Sequence, residues 1–315
     1  MFNPPDQYVW DFWTVEDQGV THLFYLSAPR SLPDPEMRHA NARCGHAVSR
    51  DLVHWTQLPI ALEPGPAGSW DDRAIWTGSV CRAGGRWAML YTGTNWAEDG
   101  KIQRVGLAWS DDLISWSKDS ANPVIEADPS RYLGQNPAHH QELAWRDPFL
   151  MPDPAGDGYL AYMTAQRREA GPGKPGCVAL ARSSDLRSWT VGGPVTDMDE
   201  FFLMEIPQVV PWKGRYILVF NADRSWVRED SGAPVATGAF YAVSDRCDGG
   251  FRYAGPLAVG ETNALFGIKL LPAPDGSPAA IGWRGYQPDG SFLGGITDPL
   301  PVRIGPDARI DCLTP

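Results

Sequence analysis

The chain has 315 residues, 43% of them hydrophobic, and its 27 basic against 38 acidic side chains give a formal net charge of −11. So acidic a chain lacks the positive footprint that a phosphate backbone or an anionic lipid surface selects, which excludes nucleic-acid and membrane-surface partners. With 33 Gly, 29 Pro, 14 Trp, 10 Tyr and 11 Phe it is rich in turns and in apolar bulk, so a folded, turn-rich domain is expected rather than disorder.

The first thirty residues carry Asp6, Asp11, Glu16 and Asp17 before the first basic residue, Arg30. That is not the basic start and apolar run of a secretory leader, and no stretch approaches the roughly 18 apolar residues of a membrane span, so a cytoplasmic protein is expected. Cys44, Cys81, Cys177, Cys247 and Cys312 are odd in number and show no CxxC spacing. Free, buried thiols are expected rather than a disulfide framework or a zinc site.

Along the chain, five short aromatic and aliphatic runs bounded by Gly, Pro, Asp or Asn read as strands: His22–Leu26, Trp87–Thr92, Tyr159–Thr164, Tyr216–Asn221 and Ala279–Trp283. No capped amphipathic helix interrupts them, so the fold is all-β. A second pattern runs between them. Ser49-Arg50-Asp51-Leu52-Val53-His54-Trp55 recurs as Ser110-Asp111-Asp112-Leu113-Ile114-Ser115-Trp116 and as Ser183-Ser184-Asp185-Leu186-Arg187-Ser188-Trp189. Ser244-Asp245-Arg246 is a degraded copy, and Thr297-Asp298-Pro299-Leu300 fits as the last. A repeat of about 60 residues, each unit holding several short strands, implies stacking of one supersecondary unit. Five such units fill the chain, which predicts a single five-bladed β-propeller over residues 1–315 with four strands per blade. Ser and Asp of the marker would close a turn, and Leu and Trp would pack between blades.

In such a ring the first strand of every blade lines one axial channel, where carboxylates remote in sequence can meet for work on an acetal. Three acids stand in unusual settings. Asp11 lies among aromatics in Tyr8-Val9-Trp10-Asp11-Phe12-Trp13, Asp147 follows Arg146 in Trp145-Arg146-Asp147-Pro148, and Glu205 interrupts the apolar run Leu203-Met204-Glu205-Ile206. Burial raises the pKa of a carboxyl, which would suit Glu205 to general-acid work. Trp10, Trp13, Trp70, Trp76, Trp96 and Trp226 fall outside the markers. Their faces are suited to stacking on sugar rings or to core packing. His139-His140 alternate across a strand and lack a third ligand, so no metal site is expected. His46 reads as a hydrogen-bonded structural residue, Ser69-Trp70-Asp71-Asp72-Arg73 as a solvated turn, and Arg224–Ser231 as a charged surface loop.

Several blocks, in order, resemble glycoside hydrolase family 32, the fructofuranosidases, levanases and inulinases. They are His22-Leu23-Phe24-Tyr25, Gly45-His46-Ala47-Val48-Ser49-Arg50-Asp51-Leu52-Val53-His54-Trp55 with Leu58-Pro59-Ile60-Ala61-Leu62, and Trp76-Thr77-Gly78-Ser79-Val80. Tyr91-Thr92-Gly93, Arg146-Asp147-Pro148, Met204-Glu205-Ile206-Pro207-Gln208, Gly282-Trp283-Arg284-Gly285 and Leu300-Pro301-Val302-Arg303 complete the series. The resemblance implies a five-bladed propeller with Asp11 as nucleophile, Glu205 as acid/base and Asp147 as transition-state stabiliser. It also implies that Arg146 flanks that site and that Trp76 and Thr77 line the sugar pocket, while Trp10 and Trp13, aromatic neighbours of Asp11, are read from the residues themselves as sugar-stacking groups. The chemistry requires no cofactor, and an intracellular place favours a small oligosaccharide or glycoside as substrate.

The chain departs from the family pattern at three places. Asp11 is flanked by Trp10 and Phe12 rather than set in Asn-Asp-Pro-Asn-Gly, Leu26 replaces a Gln after Tyr25, and Ile206 replaces a Cys after Glu205. A chain ending at Pro315 leaves no room for the family's C-terminal β-sandwich, so no such domain is expected and self-association could take its place. Two other readings stay open: an inverting arabinofuranosidase- or xylosidase-like hydrolase, and a sugar-binding propeller without turnover.

Overall fold

The computed structural model describes residues 1–133, 143–169, 176–260, 265–287 and 291–311. Among them five antiparallel sheets follow one another in chain order as the blades of a propeller. Blade 1 contains β1 (Gln7–Asp17), β2 (Val20–Pro29), β3 (Arg43–Ser49) and β4 (Thr56–Leu62). Blade 2 contains β5 (Ala74–Ala83), β6 (Arg86–Thr94), β7 (Arg104–Ser110) and β8 (Ser117–Lys118). Blade 3 contains β9 (Trp145–Pro152), β10 (Tyr159–Gln166), β11 (Gly176–Ser183) and β12 (Thr190–Pro194). Blade 4 contains β13 (Glu205–Trp212), β14 (Arg215–Ala222), β15 (Thr237–Ser244) and β16 (Arg252–Gly260). Blade 5 has β17 (Leu265–Pro272), β18 (Pro278–Arg284) and β19 (Leu300–Pro301). This last blade corrects the expectation of four strands throughout: three are found among the described residues, and the third is two residues long. Pro301 carries no N–H to extend that pairing.

The five runs read as strands from sequence are the second strands, β2, β6, β10, β14 and β18. Each lies between two paired neighbours, with other blades on both faces, so both of its sides are apolar and the run is continuous. The first strands gave a weaker signal because their pairing with the second strand slips at one place in each blade. The slips fall between Trp10 and Phe12, Trp76 and Gly78, Arg146 and Phe149, Glu205 and Gln208, and Phe266 and Lys269. A bulge breaks the period-two alternation and re-aims the extra residue. Asp147 and Ile206 take left-handed conformations there, with φ of 57° and 52°.

Side chains couple neighbouring inner strands. Ser79 Oγ donates to Pro148 O and accepts from Leu150 N, both at 2.7 Å. Gln208 Nε2 donates to Leu270 O at 2.9 Å while its Oε1 accepts from Leu270 N at 2.8 Å. The N-terminal segment closes the ring: Phe2 and Ile296 exchange two backbone hydrogen bonds of 2.8 Å, and Gly295 N donates to Val9 O at 2.8 Å.

The marker motif is the turn between the third and fourth strands. In blade 2, Ser110 Oγ accepts from Asp112 N at 3.2 Å and donates to Asp112 Oδ1 at 3.0 Å. The same Oδ1 then accepts from Ile114 N and Ser115 N at 2.8 and 2.7 Å, and Trp116 Nε1 donates to Leu113 O at 2.9 Å. Asp51 and Asp185 repeat this pattern in blades 1 and 3. The central Leu52, Leu113 and Leu186 hold φ of 63°, 65° and 66° and are each 1% exposed. Burial between blades offsets the strain of a left-handed leucine. Asp112→Ala is therefore expected to lower unfolding free energy by about 1–2 kcal/mol in chemical denaturation while leaving the axial site intact. Equal stability of variant and parent would show that the turn is held by something else.

His46 is fully buried, stacked on Phe24 at 4.4 Å, with its Nε2 3.0 Å from His22 Nδ1, a packing role as read from sequence. Asp71 departs from its reading as part of a solvated turn. It is 2% exposed and takes bonds from Lys118 Nζ at 2.5 Å and Tyr91 Oη at 3.1 Å, which anchors the entry to blade 2. Cys44, Cys81, Cys177 and Cys247 are free thiols. Cys312 and His139-His140 lie outside the described residues.

Candidate active site

Asp11, Asp147 and Glu205 all sit at or beside the bulges of inner strands, from β1, β9 and β13. The bulges lie near the N-terminal ends of those strands. The marker turns, which follow third strands, therefore lie at the opposite end of the blades. The connections from second to third strands, including the 3₁₀ turn Pro35–Asn41, surround the end that carries the acids.

Asp147 and Glu205 are joined through a few basic and polar groups. Asp147 is 5% exposed, and its Oδ2 accepts from Thr164 Oγ1 at 3.0 Å and from Ile206 N at 3.2 Å. Arg146, 4% exposed, places Nε 3.7 Å from that same oxygen and donates from Nη2 to Glu205 Oε1 at 2.5 Å. Its Nη1 reaches Gln103 Oε1 at 3.3 Å. One guanidinium thus bridges the acids of blades 3 and 4. The apolar isolation expected of Glu205 from its flanking residues is not what surrounds it. Its carboxylate meets a cation, and the left-handed Ile206 beside it ties the strand start to β9 through its N–H on Asp147.

Asp11 has a different environment. Its Oδ1 accepts from Trp283 Nε1 at 2.8 Å. Burial, and then the negative charge of Asp147, push the Asp11 carboxyl up to about 7, against the Trp283 bond and the positive charges of Arg38 and Lys269 that pull it down. A group that must be ionised to attack would then set an acidic limb of the pH–rate profile near neutrality. Trp283→Phe removes the hydrogen bond that favours the carboxylate, so the limb is expected to move to higher pH by about half a unit to one unit. An unmoved limb in that variant would mean that Asp11 does not set it.

The aromatic residues expected to line the pocket divide. Trp10 is 1% exposed, edge-on to His39 at 6.0 Å, with the Arg38 guanidinium 5.7 Å above its ring. Trp76 is half-buried and donates from Nε1 to His39 O at 2.8 Å, which ties the Pro35–Asn41 turn to blade 2. Thr77, 2% exposed, occupies the bulge of β5. Trp13 corrects its reading as a sugar-facing residue. It is 3% exposed, stacks on Phe24 at 6.1 Å between centroids and belongs to the apolar core of the first blades.

Three residues near the acids escaped the sequence reading of the site. Arg38 sits on the 3₁₀ turn with its guanidinium 3.9 Å from the Phe292 ring and bonds to Glu36 and Tyr286, a set with no local sequence signal. Trp283 lay within a matched block but without a role. Lys269 stands alone in Leu265-Phe266-Gly267-Ile268-Lys269-Leu270-Leu271, and the logic that singled out Glu205, a charge inside an apolar run, applies to it equally.

The model of the glycosyl hydrolases family 32 N-terminal domain matches residues 2–285. "Beta-fructofuranosidase 1" of Zea mays is 37% identical over 133 residues, which is 41% of this chain and 19% of that protein. Fructan 6-exohydrolase of Beta vulgaris is 28% identical over 221 residues, 68% of this chain and 33% of that protein. The chain therefore spans between a fifth and a third of the length of these curated relatives. Fructan 1-exohydrolase IIa from Cichorium intybus superposes with a TM-score of 0.71 at 21% identity, over 98% of this chain and 58% of its own. A thermostable family-43 glycoside hydrolase superposes at 0.69 and 16% identity, over 100% of this chain and 96% of its own. At such identities the two superpositions speak for the fold, whereas the family model spans nine-tenths of the chain, and on that match the protein belongs to the glycosyl hydrolases family 32, through that family's N-terminal domain.

Proposed function

We propose that this protein is a retaining hydrolase of β-fructofuranosides, acting on a small oligosaccharide or glycoside. The observation that carries the reading is the gathering of three acids from blades 1, 3 and 4 at the bulges of the inner strands, Asp147 and Glu205 held on Arg146 and Asp11 near enough to Asp147 to feel its charge. Asp11 attacks the anomeric carbon while Glu205 gives a proton to the leaving oxygen, so the glycosidic bond breaks as an ester to Asp11 forms. Glu205, now ionised, takes a proton from water, which attacks the same carbon and frees Asp11. Asp147, held by Thr164 and the Ile206 amide, accepts hydrogen bonds from sugar hydroxyls. Arg146 keeps the two acids beside it oriented.

Proton NMR of the first product anomer, with sucrose, 1-kestose and aryl β-fructofuranosides as substrates, tests this. The expected first product is β-fructofuranose, released with retained configuration. Initial release of the opposite anomer would replace the reading with an inverting one, and binding without turnover would replace it with a sugar-binding role.

A further inference from the structure

Lys269 is 4% exposed, in β17, on one of the two blades that contribute none of the three acids. Burying an ammonium in an apolar strand is costly unless it is bonded, and this one donates to Ile206 O at 2.9 Å and Pro207 O at 3.4 Å. Those carbonyls belong to the bulge of β13 that starts at Glu205. Among the described residues its ammonium makes no ion pair, so its charge is not cancelled at contact range. The charged groups whose fields reach it are Asp147 of β9 and Asp11 of the neighbouring β1, whose Oδ1 lies against Gly267 in the β17 bulge. Glu205 of β13 faces Arg146 instead, and Arg215 of β14 and Arg252 of β16 are exposed. Arg284 of β18 is half-exposed at the end of its strand that pairs with Leu265.

We infer that Lys269 is a positioning residue with two effects: its hydrogen bonds hold the β13 bulge that presents Glu205, and its charge keeps Asp11 ionised for attack. The inference rests on the retaining reading above. The electrostatics agree with the geometry. Burial pushes the ammonium down to about 7 while Asp147 and Asp11 pull it up, and Lys269 in turn lowers the proton affinity of Asp11. The lysine is thus charged on the acidic side of neutrality, where an ionised Asp11 is hardest to maintain.

The test compares pH profiles of kcat/KM for the parent, Lys269→Gln and Lys269→Met on one fructoside. Gln keeps a donor for the two carbonyls without the charge, and Met removes both. In both variants the acidic limb is expected to rise by about half a unit, so that activity falls about threefold at pH 6. At pH 9 Gln returns close to the parent, and Met stays lower because the bulge is freed. A lysine that served packing alone would lower activity by one factor at every pH, and an unmoved limb in both variants overturns the inference.

Melting curves keep the result readable. A buried lysine whose folded pKa lies below the usual 10.5 makes the parent lose stability as pH falls from that value toward 7, and Met abolishes that loss. If the limb stays while loss of Asp11 or Glu205 still abolishes turnover, the role of Lys269 fails and the retaining reading stands.

Discussion

Asp11→Asn is expected to leave a folded protein whose kcat/KM on fructosides is lower by about 10⁴-fold or more, because the amide cannot form the glycosyl ester. The substitution is nearly isosteric, and Asn keeps an oxygen to accept from Trp283 Nε1, so the bulge of β1 keeps its geometry. Its stability signature has the opposite sign to its activity. The Asp11 carboxyl, pushed up to about 7 by burial and by Asp147, favours the folded state while protonated. That advantage is complete below the unfolded value of 3.8 and is lost as pH rises through about 7. A neutral Asn escapes the loss, so the melting temperature of the variant relative to the parent rises between pH 4 and pH 8. A variant that is inactive and also relatively less stable at pH 8 would place Asp11 in a structural role instead.

Glu205→Gln should divide substrates by leaving group. With sucrose or kestose the departing oxygen needs a proton, and the loss is expected to be about 10³-fold. An aryl fructoside with an acidic phenol leaves without that help, so the first step survives. The second step, which needs a base to activate water, is then limiting. Stopped-flow traces should show a burst of phenol near one equivalent of enzyme, followed by slow turnover. Gln still accepts from Arg146, so the pair that fixes this side chain is retained. An equal loss on both substrate types, with no burst, would remove Glu205 from the acid/base role.

Both predictions concern acids visible in the sequence, and the reason is physical. A carboxylate in an aromatic or apolar run is costly to bury without purpose, and Asp11 and Glu205 stand in such runs. Trp10 and Trp13 mark where that reading runs out. Three residues apart with a bulge between them, the two rings cannot be assigned to packing or to the channel by alternation. The structure puts Trp10 against Arg38 and His39, and Trp13 on Phe24. The reading of Glu205 took its surroundings from adjacent letters, whereas its partner Arg146 lies 59 positions earlier.

The amino-acid order by itself determined the number and succession of blades. Each second strand is flanked on every side by protein and must be continuously apolar, and each marker turn closes by bonds among residues two or three apart. Such features are local and are written in consecutive letters. Only the tertiary structure decided which groups tune the acids. Trp283 reaches Asp11 across 272 positions, and Lys269 reaches the Glu205 bulge across 63. Ring closure brings the first and last blades side by side, and no spacing or periodicity within either blade encodes that neighbourhood.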